Sequence, residues 1–392
     1  MTSKEIILNF NQANTLCDNL INHILNDFKS ETILQTKNVE YFKNNFQKVG
    51  CALNYEDYDL IFINGQTSIG KSLCFLGPIV LEINKTSIII LPTNALIYQF
   101  SEKLKVANIS NLILNSIEKK QEIEEAIKYG MTDPNNFAYD NNVIITTPEY
   151  FSKDNIQSLI EILSKNNIIS RIVIDECHIP IQRDESFRDE YLKIYNKLSL
   201  ITNCKKVVLS ATINKLIKQF IISEIKPNAY AVIKMTTYQR KIFIFNISNE
   251  DLITNCLVED SIKRLSIVKK CSNDNVSFKG IIIIRRLSDI SYYKEMYEKN
   301  GYTCVEFTSN IGEEKKKENL KMFNNNEFNF LITTSGTLVG IDTVACNMII
   351  MHALSITSTN FIQDLGRLSR AGNCSWGLFT QQQIYSDRIN VY

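Results

Sequence analysis

Histidine and tryptophan are scarce in this chain, with three of the former and one of the latter among 392 residues. Ten cysteines are present, but they are scattered from Cys17 to Cys374 and no two form a C-x-x-C pair. Few imidazoles and no paired thiols leave no ligand spacing for a structural zinc site, so no zinc is expected. Scattered thiols without a disulfide framework fit a reducing compartment. Glycine (13) and proline (6) are sparse too, while 44% of the residues are hydrophobic and 22% charged. That balance excludes collagenous and disordered chains. An excess of one charge is also missing, because 43 basic residues meet 42 acidic ones for a net charge of +1. A nucleic-acid surface must then be a local patch rather than a global field. No apolar run reaches the roughly 20 residues that span a bilayer. The start, Met1-Thr2-Ser3-Lys4-Glu5, lacks the charged-then-apolar order of a secretory signal. The expectation is a soluble intracellular protein with no membrane partner, placed in the nucleus if its source is eukaryotic.

What is present is length for two cores. Residues 1–40 read as a helical preface, with Leu16, Leu20, Ile21, Ile24, Leu25 and Phe28 at helical spacing. From residue 58 short β-branched runs alternate with longer helical stretches: Leu60–Ile63, Ser87–Leu91, Val143–Thr147, Ile172–Ile174 and Val207–Leu209. Such continuous apolar runs suit strands buried on both faces, hence a parallel sheet between helices. A second series follows at Lys241–Phe245, Gly280–Ile284, Thr303–Phe307, Phe330–Thr333 and Met348–Met351. Lys226-Pro227-Asn228 and a polar stretch from Thr236 to Gln239 separate the two, which places lobe 1 at 41–235 and lobe 2 at 236–392.

The local signal richest in chemistry is Gly65-Gln66-Thr67-Ser68-Ile69-Gly70-Lys71-Ser72. It fits G-x-x-x-x-G-K-[ST] and follows an apolar strand, as a phosphate-cradling loop must. Its glycines let backbone N–H groups wrap phosphates, and the next helix points its positive end at them. Lys71 would reach the β- and γ-phosphates, and the Ser72 hydroxyl would ligate Mg²⁺. Downstream, Arg171-Ile172-Val173-Ile174-Asp175-Glu176-Cys177-His178 ends an apolar strand in acid. Asp175 is placed to hold Mg²⁺ and Glu176 to act as base toward water. Ser210-Ala211-Thr212 follows another strand, where small hydroxyl residues can bond to the acidic turn. Finally Gln363-Asp364-Leu365-Gly366-Arg367-Leu368-Ser369-Arg370-Ala371-Gly372 sets two arginines one helical turn apart. Arg367 and Arg370 can stabilise charge on a γ-phosphoryl group.

In this order the segments resemble a superfamily 2 helicase core, and the text between them resembles the RecQ family. Gly70-Lys71-Ser72-Leu73-Cys74-Phe75 is similar to that family's G-K-S-L-C-Y, and Phe187-Arg188-Asp189-Glu190-Tyr191-Leu192 to its F-R-x-x-Y-x-x-L. Gly336–Asp342, reading G-T-L-V-G-I-D, falls where the family has a motif ending G-[IV]-[DN]. Gln47 lies near the place of its adenine-reading glutamine, although Phe42–Gln47 is one residue longer than F-R-x-x-Q. The resemblance covers residues 40–385. It implies two tandem RecA-like lobes with ATP and Mg²⁺ between them, Asp342 toward the ribose, and Ser210, Ala211, Thr212 and Gln363 coupling hydrolysis to movement. It implies stepping along single-stranded or tailed DNA with 3′→5′ polarity.

The departures from the family are local. Its loop S-Q-W-G-H-D-F reads Ile181-Gln182-Arg183-Asp184-Glu185-Ser186-Phe187 here. Gln182 and Phe187 remain, and Arg183 stands at the position of the stacking tryptophan, where a guanidinium can stack on a base or pair with phosphate. Leu338 stands for a glycine, and the zinc-binding and winged-helix modules of many members do not follow before Tyr392. Three other readings stay open: an RNA-directed motor of the same superfamily, a non-catalytic nucleic-acid-binding relative, and a small-molecule P-loop kinase. Plainer roles suit the remaining features. Glu313–Lys317 reads as a solvated helix face and Trp376 as a packing anchor, while His352 fits a cleft or a core equally.

Overall fold

The apolar runs of the sequence become parallel strands in the computed structural model of the chain. The structure describes residues 2–9, 42, 44–65, 69–82, 84–179, 185–236, 242–247, 259, 261–267, 278–284, 286–334, 337, 346–352, 364–365, 368 and 375–380. The chain divides into two compact units, Met1–Tyr238 and Gln239–Tyr392.

The first unit holds strands β1 (Thr2–Asn9), β2 (Leu60–Asn64), β3 (Thr86–Ile90), β4 (Asn111–Leu114), β5 (Val143–Thr146), β6 (Ile169–Ile174), β7 (Lys205–Ser210) and β8 (Ala229–Thr236). They form one sheet in the order β1-β8-β2-β7-β6-β3-β5-β4, with every pair parallel. Parallel neighbours need crossovers, and helices supply them: α1 (Asn45–Ala52), α2 (Leu73–Leu81), α3 (Asn94–Val106), α4 (Asp154–Lys165), α5 (Glu185–Leu200) and α6 (Lys215–Ile225) are the ones that matter below.

Side chains alternate across the sheet, so each strand feeds two cores. Leu60 and Phe62 of β2 join the cluster that holds Ile88, Ile90, Ile172 and Ile174. Ile61 and Ile63 join the opposite one with Ile89, Val173, Val207 and Leu209. Each such buried side chain contributes about 1.5–3 kcal/mol relative to exposure. The double burial expected from continuous apolar runs is therefore what the sheet shows.

The second unit repeats the plan with β9 (Ile242–Ile247), β10 (Gly280–Ile284), β11 (Cys304–Phe307), β12 (Phe330–Thr334), β13 (Met348–Met351) and β14 (Ser375–Thr380). Their order is β11-β12-β10-β13-β14-β9, again parallel throughout. Helices α7 (Ile290–Lys299) and α8 (Glu313–Asn324) pack on opposite sides of this sheet: Ile290, Tyr293 and Tyr297 enter one core, and Leu320 and Phe323 the other.

One expectation is corrected. The chain does not open as helix, because Thr2–Asn9 is an edge strand paired with β8 from Thr2↔Ala229 to Asn9↔Thr236. The cause is a period of two: Ile6 and Leu8 are buried at 8% and 2% exposure, while Ile7 between them is 54% exposed. The helical stripe from Leu16 to Phe28 lies outside the described residues. The strands β4, β8 and β14 were not anticipated. Trp376 falls on β14, in register with Met348 and Phe243.

Candidate nucleoside triphosphate site

Three neighbours in the first sheet, β2, β7 and β6, run parallel and end at one edge. Gly65–Ser72, Ser210–Thr212 and Asp175–His178 follow them. Segments far apart in sequence thus meet through strand order, at the carboxyl edge where open parallel sheets bind ligands.

The loop after β2 is held from two sides. Gly65 N–H donates to the Ser210 carbonyl at 3.3 Å. Gly70 has φ +79°, and a Cβ there would stand 2.2 Å from Gln47 Nε2. Glycine alone fits that position. Gln47 donates from Nε2 to the Ile69 carbonyl at 2.8 Å. Asn44 donates to the same oxygen at 3.1 Å and caps α1 by accepting from Gln47 N–H at 3.0 Å. The geometry around Gln47 is therefore a bracket on the loop. Asn44 was missed in the sequence, although an Asn just before a helix is a capping signal.

Behind the loop α1 and α2 pack tightly. A Cβ on Gly50 would lie 2.5 Å from Cys74 Sγ, and Asn54 Nδ2 donates to the carbonyls of Gly50 and Cys74 at 2.9 and 3.1 Å. Lys71 and Ser72 start the first turn of α2, where Leu76 N–H reaches the Ser72 carbonyl at 2.9 Å. The Ser72 side chain makes no capping bond of its own. Gln66, Thr67 and Ser68 lie outside the described residues.

The acidic turn continues β6. Asp175 N–H donates to Ile90 O and Cys177 N–H to Leu209 O, both at 3.1 Å, so strands on either side fix the turn. Between them Glu176 is left-handed at φ +51°, a conformation that costs a non-glycine residue about 1–3 kcal/mol. Its N–H donates to Asp175 Oδ1 at 2.9 Å. Burial raises the Asp175 carboxyl above the usual range; the charge of Glu176 adds to this, and Lys71 opposes both.

His178 links this turn to the loop after β7. Its Nδ1 lies 3.2 Å from Glu176 Oε2 and 2.8 Å from Ser210 Oγ. Ser210 Oγ in turn lies 3.2 Å from Thr212 Oγ1 and accepts from Thr212 N–H at 3.1 Å. The small hydroxyl residues thus do bond to the acidic turn, through His178, whose part the sequence did not announce. Ala211 sits between the two hydroxyl residues.

The donor set suits a hard divalent cation only when phosphate and water complete it, since no cluster of three His, Cys, Asp or Glu side chains occurs among the described residues. A hydroxyl at the helix start, one raised carboxyl and one lysine are donor types that could hold Mg²⁺ together with a triphosphate. Asp342, Gln363, Arg367 and Arg370 lie outside the described residues, as do Gln182 and Arg183; Phe187 falls within α5. The six described cysteines, Cys51, Cys74, Cys177, Cys204, Cys304 and Cys346, are buried, and burial raises the thiols of Cys51, Cys74, Cys177, Cys204 and Cys304. They are packing groups. His352, poised in the sequence between cleft and core, proves to be a core residue: Nε2 meets Tyr297 Oη at 3.0 Å and the ring lies 4.7 Å from that of Tyr293. Among the described residues no helix is long and apolar enough to cross a membrane.

Comparison with known proteins agrees with this geometry. Residues 44–220 match the DEAD/DEAH box helicase family and residues 262–372 the helicase conserved C-terminal domain. The chain is 22% identical over 339 residues to the ATP-dependent DNA helicase hus2/rqh1 of Schizosaccharomyces pombe, covering 84% of this chain and 24% of that protein. It is 24% identical over 324 residues to the ATP-dependent DNA helicase Q1 of Rattus norvegicus, covering 79% and 48%. The chain thus spans from a quarter to about half the length of these two curated relatives. Among solved structures, the DEAD-box helicase Mss116 bound to ssRNA and UDP-BeF matches 97% of this chain and 78% of its own, with TM-score 0.67 and 18% identity. The DUF1998 helicase MrfA bound to DNA and AMPPNP matches 86% and 48%, with TM-score 0.68 and 14% identity. With two tandem RecA-like domains in the motif order Gly65–Ser72, Asp175–His178 and Ser210–Thr212, the chain carries a superfamily 2 helicase core, and it is similar to RecQ-family helicases.

Proposed function

We propose that the chain is an ATP-driven motor that moves along single-stranded DNA in the 3′→5′ direction and opens tailed duplexes. The observation that carries this reading is the connected set Gly65, Ser210, His178, Glu176 and Asp175, which joins the root of a phosphate loop to a base and the base to a loop able to report on the reaction.

In the first unit, Met1–Tyr238, the backbone from Gly65 to Ser72 wraps the phosphates and Lys71 neutralises the β- and γ-oxygens. Ser72 and Asp175 hold Mg²⁺, which when bound supplies charge neutralisation on the phosphates. Glu176 accepts a proton as water attacks the γ-phosphorus; the bond to the β,γ-bridging oxygen breaks and ADP leaves with it. The second unit, Gln239–Tyr392, contributes Arg367 and Arg370 to the charge on the transferring group and Asp342 to the ribose, while Gln47 reads the adenine. Ser210, Ala211, Thr212 and Gln363 couple the reaction to lobe movement. Nucleic acid crosses the carboxyl edge of the first sheet. There Thr93 caps α3 directly after β3 and accepts from Leu96 N–H at 3.4 Å, so the helix turns its positive end outward to phosphate. By resemblance to the family, Gln182, Arg183 and Phe187 bind the nucleic acid as well.

Rat helicase Q1 and yeast hus2/rqh1 are named for DNA, which favours a DNA track. The Mss116 complex holds ssRNA, which supports RNA as the second reading. ATP turnover measured with matched single strands of DNA and RNA decides between them. DNA is expected to stimulate at least tenfold more than RNA; stronger stimulation by RNA would refute the DNA assignment. Release of the short strand from 3′-tailed but not 5′-tailed duplexes tests the polarity.

A further inference from the structure

The last residue of β2 is Asn64, directly before the phosphate loop and only 8% exposed. Its Nδ2 donates to the Ile213 carbonyl at 2.8 Å, and its Oδ1 accepts from Ile213 N–H at 3.4 Å. One carboxamide thus satisfies both backbone groups of a residue three positions beyond Ser210. Next to it, Gly65 N–H holds the Ser210 carbonyl. The segment Ser210–Ile213 is therefore pinned at both ends to the root of the phosphate loop. From its first residue it reaches His178, and through His178 it reaches Glu176. The Ile213 side chain, 7% exposed, packs in the core that also holds Phe62 of β2.

We infer that Asn64 is a positioning residue that makes Ser210–Ile213 follow the phosphate loop, so that filling the loop is transmitted through Ser210 and His178 to Glu176. This rests on the reading that Gly65–Ser72 takes the triphosphate. The residue type is specific to the task. Aspartate can accept from Ile213 N–H but cannot donate to its carbonyl, alanine does neither, and glutamine reaches one methylene too far. Without the tether two buried backbone groups lose their partner and the segment moves independently of the loop. No conserved pattern around G-x-x-x-x-G-K-S would have pointed to it, because the contact is made to a residue 149 positions away.

The test compares wild type with Asn64→Ala and Asn64→Asp in the full chain. Hydrogen exchange is read at 210–213 with and without Mg²⁺ and AMP-PNP, alongside steady-state ATP turnover and thermal unfolding. In wild type, AMP-PNP slows exchange at 210–213. Asn64→Ala binds AMP-PNP within about threefold of wild type and exchanges the Ile213 amide faster without nucleotide. It no longer responds to nucleotide, and kcat falls about tenfold at unchanged KM, equal to roughly 1.4 kcal/mol. Asn64→Asp, the milder change should Asn64→Ala not fold, keeps the Ile213 amide protected and still loses kcat. Lower thermal stability with kcat and the nucleotide response intact would reduce Asn64 to a scaffold residue and overturn the inference. A wild-type chain that fails to bind AMP-PNP would overturn the nucleotide reading first, before any variant is made, and the relay with it.

Discussion

Replacing Arg171 with methionine should unfold the first unit far more readily than replacing Arg171 and Glu82 together. Arg171 opens the buried part of β6 at 1% side-chain exposure, and Glu82, 24% exposed, ends α2. Nη2 donates to Glu82 Oε1 at 2.5 Å and Nη1 to Ser87 Oγ at 3.4 Å. Arg171 Nε and Glu82 Oε2 are buried with no hydrogen-bond partner, so the pair is incompletely compensated for leaving water. Removing one partner strands the other charge at a cost of about 3–5 kcal/mol, nearer the lower bound here because Glu82 keeps some contact with solvent. For a unit of this size 1 kcal/mol moves Tm by about 2–4 °C, which predicts a fall of roughly 6–12 °C for Arg171→Met. The double variant Arg171→Met/Glu82→Leu should recover most of it, because an apolar replacement of both ions is neutral or stabilising. Calorimetry and urea unfolding of wild type, both single variants and the double variant give the coupling energy directly. Single variants that each cost less than about 1 kcal/mol and simply add would refute the assignment of a coupled, buried pair. The consequence reaches function, since α2 starts at the phosphate loop and β6 ends at Asp175. This ion pair fastens the opposite ends of the two elements that carry the chemistry.

Two further outcomes follow from the same geometry. Gly70→Ala forces φ +79° on an L-residue and drives a Cβ to 2.2 Å from Gln47 Nε2; displacing Gln47 from Ile69 should weaken binding of a fluorescent ATP analogue at least tenfold, and unchanged affinity would contradict the bracket described above. Burial holds His352 down at about 3, so it stays neutral in the fold while the unfolded chain takes up a proton near 6.5. Its contribution to stability is complete above about pH 6.5 and is lost as pH falls from there toward 3; His352→Phe should flatten that slope in acid unfolding monitored over the second unit, and an unaltered slope would remove His352 as its source.

How much of this was legible in the sequence depends on the range of the interaction involved. Gly65–Ser72, Asp175-Glu176 and Ser210–Thr212 are local patterns, and each lies at a strand end where its residue types require it. Strands with continuous apolar runs, such as β2 with Leu60–Ile63, were legible because such runs have no alternative to burial on both faces. Strands whose apolar residues are few or interrupted were not: β8, which contains Tyr230 and Lys234, and β14, which contains Ser375 and Gly377, are inner strands of their sheets. In β1 the alternation of Ile6 and Leu8 spans too few residues to stand out from the helical stripe after it, and β4, Asn111–Leu114, is an edge strand only four residues long. The polar contacts that make the site a unit were also invisible. Asn44 on Ile69, His178 on Ser210 and Asn64 on Ile213 are tertiary pairings between residues whose types, taken alone, fit any turn or cap.

The central claim is that Glu176, held in its left-handed turn by Asp175 and His178, is the base for ATP hydrolysis. Glu176→Gln keeps the shape of the side chain and one acceptor oxygen, exchanges the other oxygen for an NH₂ donor, and removes the charge that takes a proton. Steady-state ATP turnover in the presence of single-stranded DNA, measured with ATP binding on the same preparations, is the direct test. The kcat is expected to fall about 10²–10⁴-fold with ATP affinity retained. Turnover at the wild-type rate with bound ATP would contradict it.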